Sequence, residues 1–136
     1  MNVARIKVPP TDGLPAHVAD LAPWGDASLD DALAAWLGVP ATQLECSGTS
    51  ALMVALRTLK KLAPARNEVI VPAYTCPLVA MAIAQSGLQT RLCDLSPDAL
   101  DMDEHVLRAL CSEKTLAIVP THLGGRVADV RVANHC

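Results

Sequence analysis

From residue 28 onward the apolar positions follow two alternating rhythms. Leu29, Leu33, Trp36 and Leu37 recur at the spacing that places them on one helical face. Ser28 stands where an N-cap belongs, with Asp31 at the third helical position and Gly38 as the stop, so an amphipathic packing helix is predicted there. Residues 68–72 (EVIVP), 89–95 and 115–120 (TLAIVP) read as strands, and a short strand is expected at 43–46. Between them, 50–62, 77–85 with proline at its first position, and 103–111 read as helices, and a last helix is expected to start near Val127. Strand and helix in alternation, with the runs at 68–72 and 115–120 almost continuously apolar, predict an α/β fold: three layers, α/β/α, around a mostly parallel sheet.

Residues 1–27 are rich in Pro and Gly and read as an extended lead-in, with a short turn of helix at 16–21. The chain thus divides into an N-terminal extended segment, 1–27, and an α/β region, 28–136. Its last residues, RVADVRVANHC, stop inside a helical pattern with no Gly, Pro or cap. The α/β domain is therefore expected to be incomplete, and a partial sheet with bare apolar edges is expected to aggregate or to need a partner.

Composition narrows the classes. At 136 residues and 51% apolar content the chain can build one core, and a net charge of -3 with 11 basic residues among 14 acidic ones offers no basic stripe for nucleic acid or membrane. The N-terminus carries charges and prolines where a secretory signal needs an apolar run, so a cytoplasmic location is expected. Five cysteines without a CxxC pair suggest buried free thiols rather than a disulfide framework or a metal site. With no Phe and a single Tyr, an aromatic residue in a loop stands out.

Four stretches could carry chemistry. In LECSGTSALMVAL, small residues Ser47, Gly48, Thr49 and Ser50 lead into a helix. They could simply cap it, or they could let an anion approach the helix start, where free N–H groups and the dipole favour negative charge. The stretch is not a P-loop, since the lysine and the longer glycine spacing are absent. In VPAYTCP, Tyr74 follows a buried strand, where its ring either packs at the sheet edge or stacks on a planar ligand; Cys76 has no neighbouring His to activate it. Asp94 closes the next strand, and His122 in VPTHLGG follows another, ahead of the paired Gly124 and Gly125. Together they bring small, aromatic, acidic and imidazole groups to the carboxyl edge of one inferred sheet, where open α/β sheets bind ligands.

The ordered series CSGTSALMVAL, NEVIVPAYTCPLVAMAIAQSG, RLCDLSPDALDMDEHVL and KTLAIVPTHLGGRVADV resembles the DegT/DnrJ/StrS sugar aminotransferases over residues 46 to 130. The resemblance implies fold type I, of which this chain would be part of the large domain, with pyridoxal 5'-phosphate as cofactor. It implies that Gly48, Thr49 and Ser50 hold the cofactor phosphate, that Tyr74 stacks on the pyridine ring, and that Asp94 and His122 support. It also implies transfer of an amino group from an amino acid such as glutamate to a nucleotide-linked keto-sugar, in a homodimer when full length. The family's Schiff-base lysine and the aspartate partner of the pyridine nitrogen come later than THLGG. None of Lys7, Lys60, Lys61 and Lys114 is placed to substitute, so no catalytic residue is assigned and the chain alone is expected to be inactive. Rival expectations are another fold-type-I enzyme, such as a cysteine desulfurase, a sugar dehydratase or a decarboxylase, and a non-enzymatic remnant that keeps the phosphate-binding turn.

Overall fold

A computed structural model describes Val18 and residues 28–135. The chain forms two compact units that meet between Gln43 and Leu44. The extended lead-in at 1–27 and the helical turn at 16–21 lie outside the described residues, Val18 apart.

In the first unit, α1 (Leu29–Leu37) ends at Gly38, whose φ of 67 gives the left-handed turn that lets the Gly38 and Val39 N–H groups close on the last helical carbonyls. Ser28 is the N-cap residue, as expected, although its side chain makes no cap hydrogen bond. Of the predicted stripe, Leu29, Trp36 and Leu37 are exposed and Leu33 is half-buried, while Ala34 is the buried residue of the helix.

The second unit is the α/β body. Its elements are α2 (Gly48–Leu62), β1 (Glu68–Pro72), α3 (Pro77–Gln85), β2 (Gln89–Cys93), α4 (Glu104–Leu110), β3 (Thr115–Ile118) and a closing 3-10 turn, Val130–His135. The three strands lie in the order β2-β1-β3 and both pairings are parallel. All five residues of β1 are buried, as a central strand covered on both faces must be. Alternation along it divides the core. Val69 and Val71 pack with Leu56 of α2, Ile83 of α3 and Leu88, whereas Ile70 packs on the opposite face with Cys93, Met102 and Leu107 of α4. Helices therefore cover both faces, and the expected three-layer arrangement is present.

Element ends shift for identifiable reasons. Residues 43–46 form no strand: Gln43 and Glu45 are polar, Leu44 and Cys46 stay exposed, and the segment pairs with none of the three strands. The second helix starts at Gly48 rather than residue 50, because Ser47 supplies its cap. Strand β2 stops at Cys93, beyond which Leu95 only bridges Met102 in antiparallel fashion. Pro120 has no N–H for a ladder, and β3 stops at Ile118, with the Val119 N–H making a last bond to the Ile70 carbonyl at 2.9 Å. A 3-10 turn from Val130 stands where an α-helix was expected from Val127.

The thiols also depart from expectation. Cys93 is buried, but Cys46 and Cys76 are exposed because they flank the starts of α2 and α3. Cys111 is disulfide-bonded, where a free thiol was expected. Among the described residues no helix is long and apolar enough to cross a membrane, and no group of three metal-binding side chains occurs.

Candidate functional site

Parallel strands send all their carboxyl ends to one side of the sheet. Here Tyr74 and Cys76 follow β1, Asp94 follows β2, and Thr121 and His122 follow β3. The loops after β1 and β3 are joined directly, since the Thr75 and Thr121 hydroxyls lie 2.8 Å apart and are partly buried.

The start of α2 serves as cap and leaves open donors at the same time. The Ser47 hydroxyl accepts from the Ser50 N–H at 3.1 Å, and the Ser47 N–H donates back to the Ser50 hydroxyl at 3.2 Å. This is a capping box with serine in the place usually held by Glu or Gln. The Ser50 hydroxyl also donates to the Ser47 carbonyl at 2.9 Å and lies 3.4 Å from Cys46 Sγ. Its hydrogen bonding is thus directed into the cap. The Gly48 and Thr49 N–H groups, by contrast, meet no acceptor among the described residues. No acidic residue occupies the first turn of this 15-residue helix, so nothing on that turn offsets the positive end of its dipole.

Those donors open onto a cleft of about 430 Å³ lined by Ser47, Gly48, Thr49, Leu52, Cys76 and Val79, with Leu78 at its side. Gly48 is not required by the chain itself: its φ is not positive, and a Cβ built on it would meet nothing within 4 Å. A glycine there leaves open room above two free N–H groups, a combination that fits an anion such as a phosphate.

The structure brings Cys76 to this cleft, which sequence reasoning set aside. Tyr74 does not line it; the ring is 65% exposed. Asp94 is exposed on the same sheet edge, with its carbonyl accepting from the Asp103 N–H at 2.8 Å. His122 is exposed too, and its Nδ1 accepts from the Ala128 N–H at 2.9 Å. Neither lines the cleft. The Thr75 to Thr121 bond was also missed; the sequence signal available was a hydroxyl residue just past each of two strands. Beneath this edge the Cys93 thiol is pushed above its ordinary value, first by burial and then by the Asp103 and Asp94 carboxylates, so it stays protonated and inert.

Two hollows lie at the opposite, amino ends of the strands. One of about 260 Å³ is flanked by Arg66, Ser112 and Thr115, and one of about 420 Å³ by Glu68, Arg91 and Lys114. The buried Glu68 carboxylate is satisfied there, by Arg91 at 3.6 Å and the Ser112 hydroxyl at 3.5 Å. These are packing features away from the converging loops. The described lysines are equally remote: Lys60 donates to the Pro64 and Arg66 carbonyls at 2.9 and 2.8 Å beyond the far end of α2, with Lys61 beside it, and Lys114 precedes β3.

Comparison with known proteins places the chain in a family. The model of the DegT/DnrJ/EryC1/StrS aminotransferase family matches residues 26–135. L-glutamine:2-deoxy-scyllo-inosose aminotransferase of Streptomyces fradiae is 31% identical over 135 residues, covering 89% of this chain and 31% of the relative. UDP-2-acetamido-2-deoxy-3-oxo-D-glucuronate aminotransferase of Pseudomonas aeruginosa is 31% identical over 78% of this chain and 29% of its own length. Among solved structures, the PLP form of Spr1654 from Streptococcus pneumoniae superposes with a TM-score of 0.68 at 31% identity, over 77% of this chain and 26% of that one. Helicobacter pylori PseC, an aminotransferase of pseudoaminic acid biosynthesis, gives 0.65 at 29% identity, over 76% and 28%. The chain thus spans about a third or less of the length of these relatives.

Proposed function

Because this chain belongs to the DegT/DnrJ/EryC1/StrS aminotransferase family, we propose that the start of α2 holds the phosphate of pyridoxal 5'-phosphate. The enzyme concerned moves an amino group from an amino acid such as glutamate to the keto group of a sugar. The observation that carries this is the pair of open N–H groups at Gly48 and Thr49, at a helix start with no acidic residue, beside a glycine that neither strain nor crowding requires. The relatives' names support the substrate class: one carries 2-deoxy-scyllo-inosose, the other a UDP-linked 3-oxo sugar acid. A nucleotide-linked keto-sugar is the substrate we assign.

When bound, the cofactor supplies the electron sink for amino transfer. The chain's own residues bind and orient. Gly48 and Thr49 offer backbone N–H groups and Thr49 a hydroxyl, while Ser47 and Ser50 fix the turn that aims them. Leu52 and Val79 give the cleft an apolar wall that excludes water. Tyr74, next to the cleft-lining loop, is assigned to the ring of the cofactor, and Asp94 and His122 to supporting positions at the same edge. No described lysine lines this cleft, so the chain by itself binds without completing transfer. A homodimer and a cytoplasmic setting accompany this reading on the family resemblance.

Calorimetric titration with pyridoxamine 5'-phosphate, which needs no lysine to bind, tests it. Saturable binding that inorganic phosphate competes away is expected. The absence of binding, or binding indifferent to phosphate, overturns it. Turnover of glutamate with a keto-sugar by this 136-residue chain would overturn the assignment of a binding role alone.

A further inference from the structure

The loop after β3 is pinned at three points. The Thr121 hydroxyl meets that of Thr75 at 2.8 Å, the Arg126 guanidinium pairs with the Asp101 carboxylate, and the Ala128 N–H donates to His122 Nδ1 at 2.9 Å. Gly124 and Gly125, with φ of 60 and 77, turn the chain through the left-handed region, and the Arg126 N–H closes the turn on the Leu123 carbonyl at 3.0 Å. That turn returns the buried Ala128 to the imidazole.

A backbone N–H can be accepted only by a ring nitrogen with a free lone pair, so Nδ1 is unprotonated and the neutral ring carries its proton on Nε2. The opposite tautomer would set Nδ1–H against the Ala128 N–H, donor against donor. His122 is nevertheless exposed, and its Nε2 meets none of the described residues. The Thr75–Thr121 pin is partly buried and the Arg126–Asp101 pin lies at the surface, so Nε2–H is the one polar group of the ring that no protein contact uses, on a residue that follows β3 at the carboxyl edge of the sheet.

We propose that His122 is a fixed hydrogen-bond donor, offering Nε2–H to an oxygen acceptor of the bound ligand, and that it is not a general base. A base would need the Nε2 lone pair, which this loop denies to the neutral ring. The ligand's identity rests on the function proposed above; the tautomer rests on the loop geometry alone.

Long-range proton-nitrogen NMR of the 15N-labelled chain, at a pH where imidazoles are neutral, reads the tautomer directly. His122 is identified among the four histidines by the signals lost in His122→Asn. A pyridine-like Nδ1 and a pyrrole-like Nε2 are expected; a pyrrole-like Nδ1, or averaged shifts, overturns the proposal. Titration with pyridoxamine 5'-phosphate then reads the donor. Asparagine can still accept from the Ala128 N–H but has nothing at Nε2, so His122→Asn is expected to keep slow Ala128 amide exchange. It should bind the probe roughly threefold to tenfold more weakly, the effect of one neutral hydrogen bond. Affinity equal to that of the parent chain, with the parent's Nε2 unmoved by the probe, overturns the donor role while the cofactor reading stands. If the parent chain does not bind the probe at all, the cofactor reading falls and this contact with it.

Discussion

Gly48→Ala separates the two uses of the α2 start, because stability and binding should move in opposite directions. A Cβ at position 48 meets nothing within 4 Å and the backbone angle there suits any residue, so the substitution introduces neither clash nor strain. Replacing a glycine at a compatible position restricts the unfolded chain and contributes about 0.4–1 kcal/mol. For a domain of this size that raises the melting temperature by roughly 2–8 °C. A ligand held by the Gly48 and Thr49 N–H groups must come close to the backbone of these cleft-lining residues, however, and the added methyl should crowd that approach. A hydrogen bond to a charged group is worth about 1.5–3 kcal/mol, so obstructing one donor should weaken binding of pyridoxamine 5'-phosphate by roughly tenfold to a hundredfold. Thermal melts followed by circular dichroism give the first quantity and calorimetric titration the second. A stabilised variant that binds the probe as tightly as the parent would refute the assignment of these donors to the ligand. A variant destabilised by more than about 1 kcal/mol would refute the claim that position 48 is unstrained.

Ser47→Ala should do the reverse, removing the side-chain half of the capping box and lowering stability by about 1 kcal/mol in chemical denaturation while Gly48 and Thr49 keep their N–H groups; an unchanged midpoint would show that the box adds nothing. Cys46 and Cys76 should react at once with a thiol reagent at neutral pH, and the buried Cys93, whose thiol is pushed up by burial, only after denaturation; prompt labelling of Cys93 would contradict its place in the core. Asp129 is held down to about 2, first by the Arg131 side chain at 2.7 and 2.9 Å and then by the Arg131 N–H at 2.9 Å. A lowered carboxylate contributes stability above its unfolded value, near 3.8, and loses it as pH falls from there through 2. Arg131→Gln should return the Asp129 titration toward 3.8 in carbon NMR and remove that acid-side loss, and because Arg131 is exposed and Asp129 partly so, added salt should shrink the difference.

The sequence by itself determined the architecture of the α/β body. The run VIVP that follows Glu68 is apolar at every position, which suits a strand covered on both faces, and Pro77 and Asp103 mark helix starts by their own chemistry. The SGTS turn was legible too, together with both of its readings, because small residues before a helical run have few other uses. Element ends were decided by tertiary contacts: where β3 stops depends on which carbonyl Val119 can reach.

What only the fold decided lies in the meeting of distant residues. Nothing local distinguishes Thr75 or Thr121 from any loop threonine until two parallel strands, 46 residues apart in their continuations, bring the hydroxyls to 2.8 Å. Nothing in THLGG states which group meets His122 Nδ1; a turn through two left-handed glycines brings the N–H of the buried Ala128 to it. Cys76 rather than Tyr74 lines the cleft because proline at the start of α3 turns the chain within that loop. Periodicity reports which face of each element is apolar, whereas site geometry depends on where several elements end relative to one another, and that relation exists only in three dimensions.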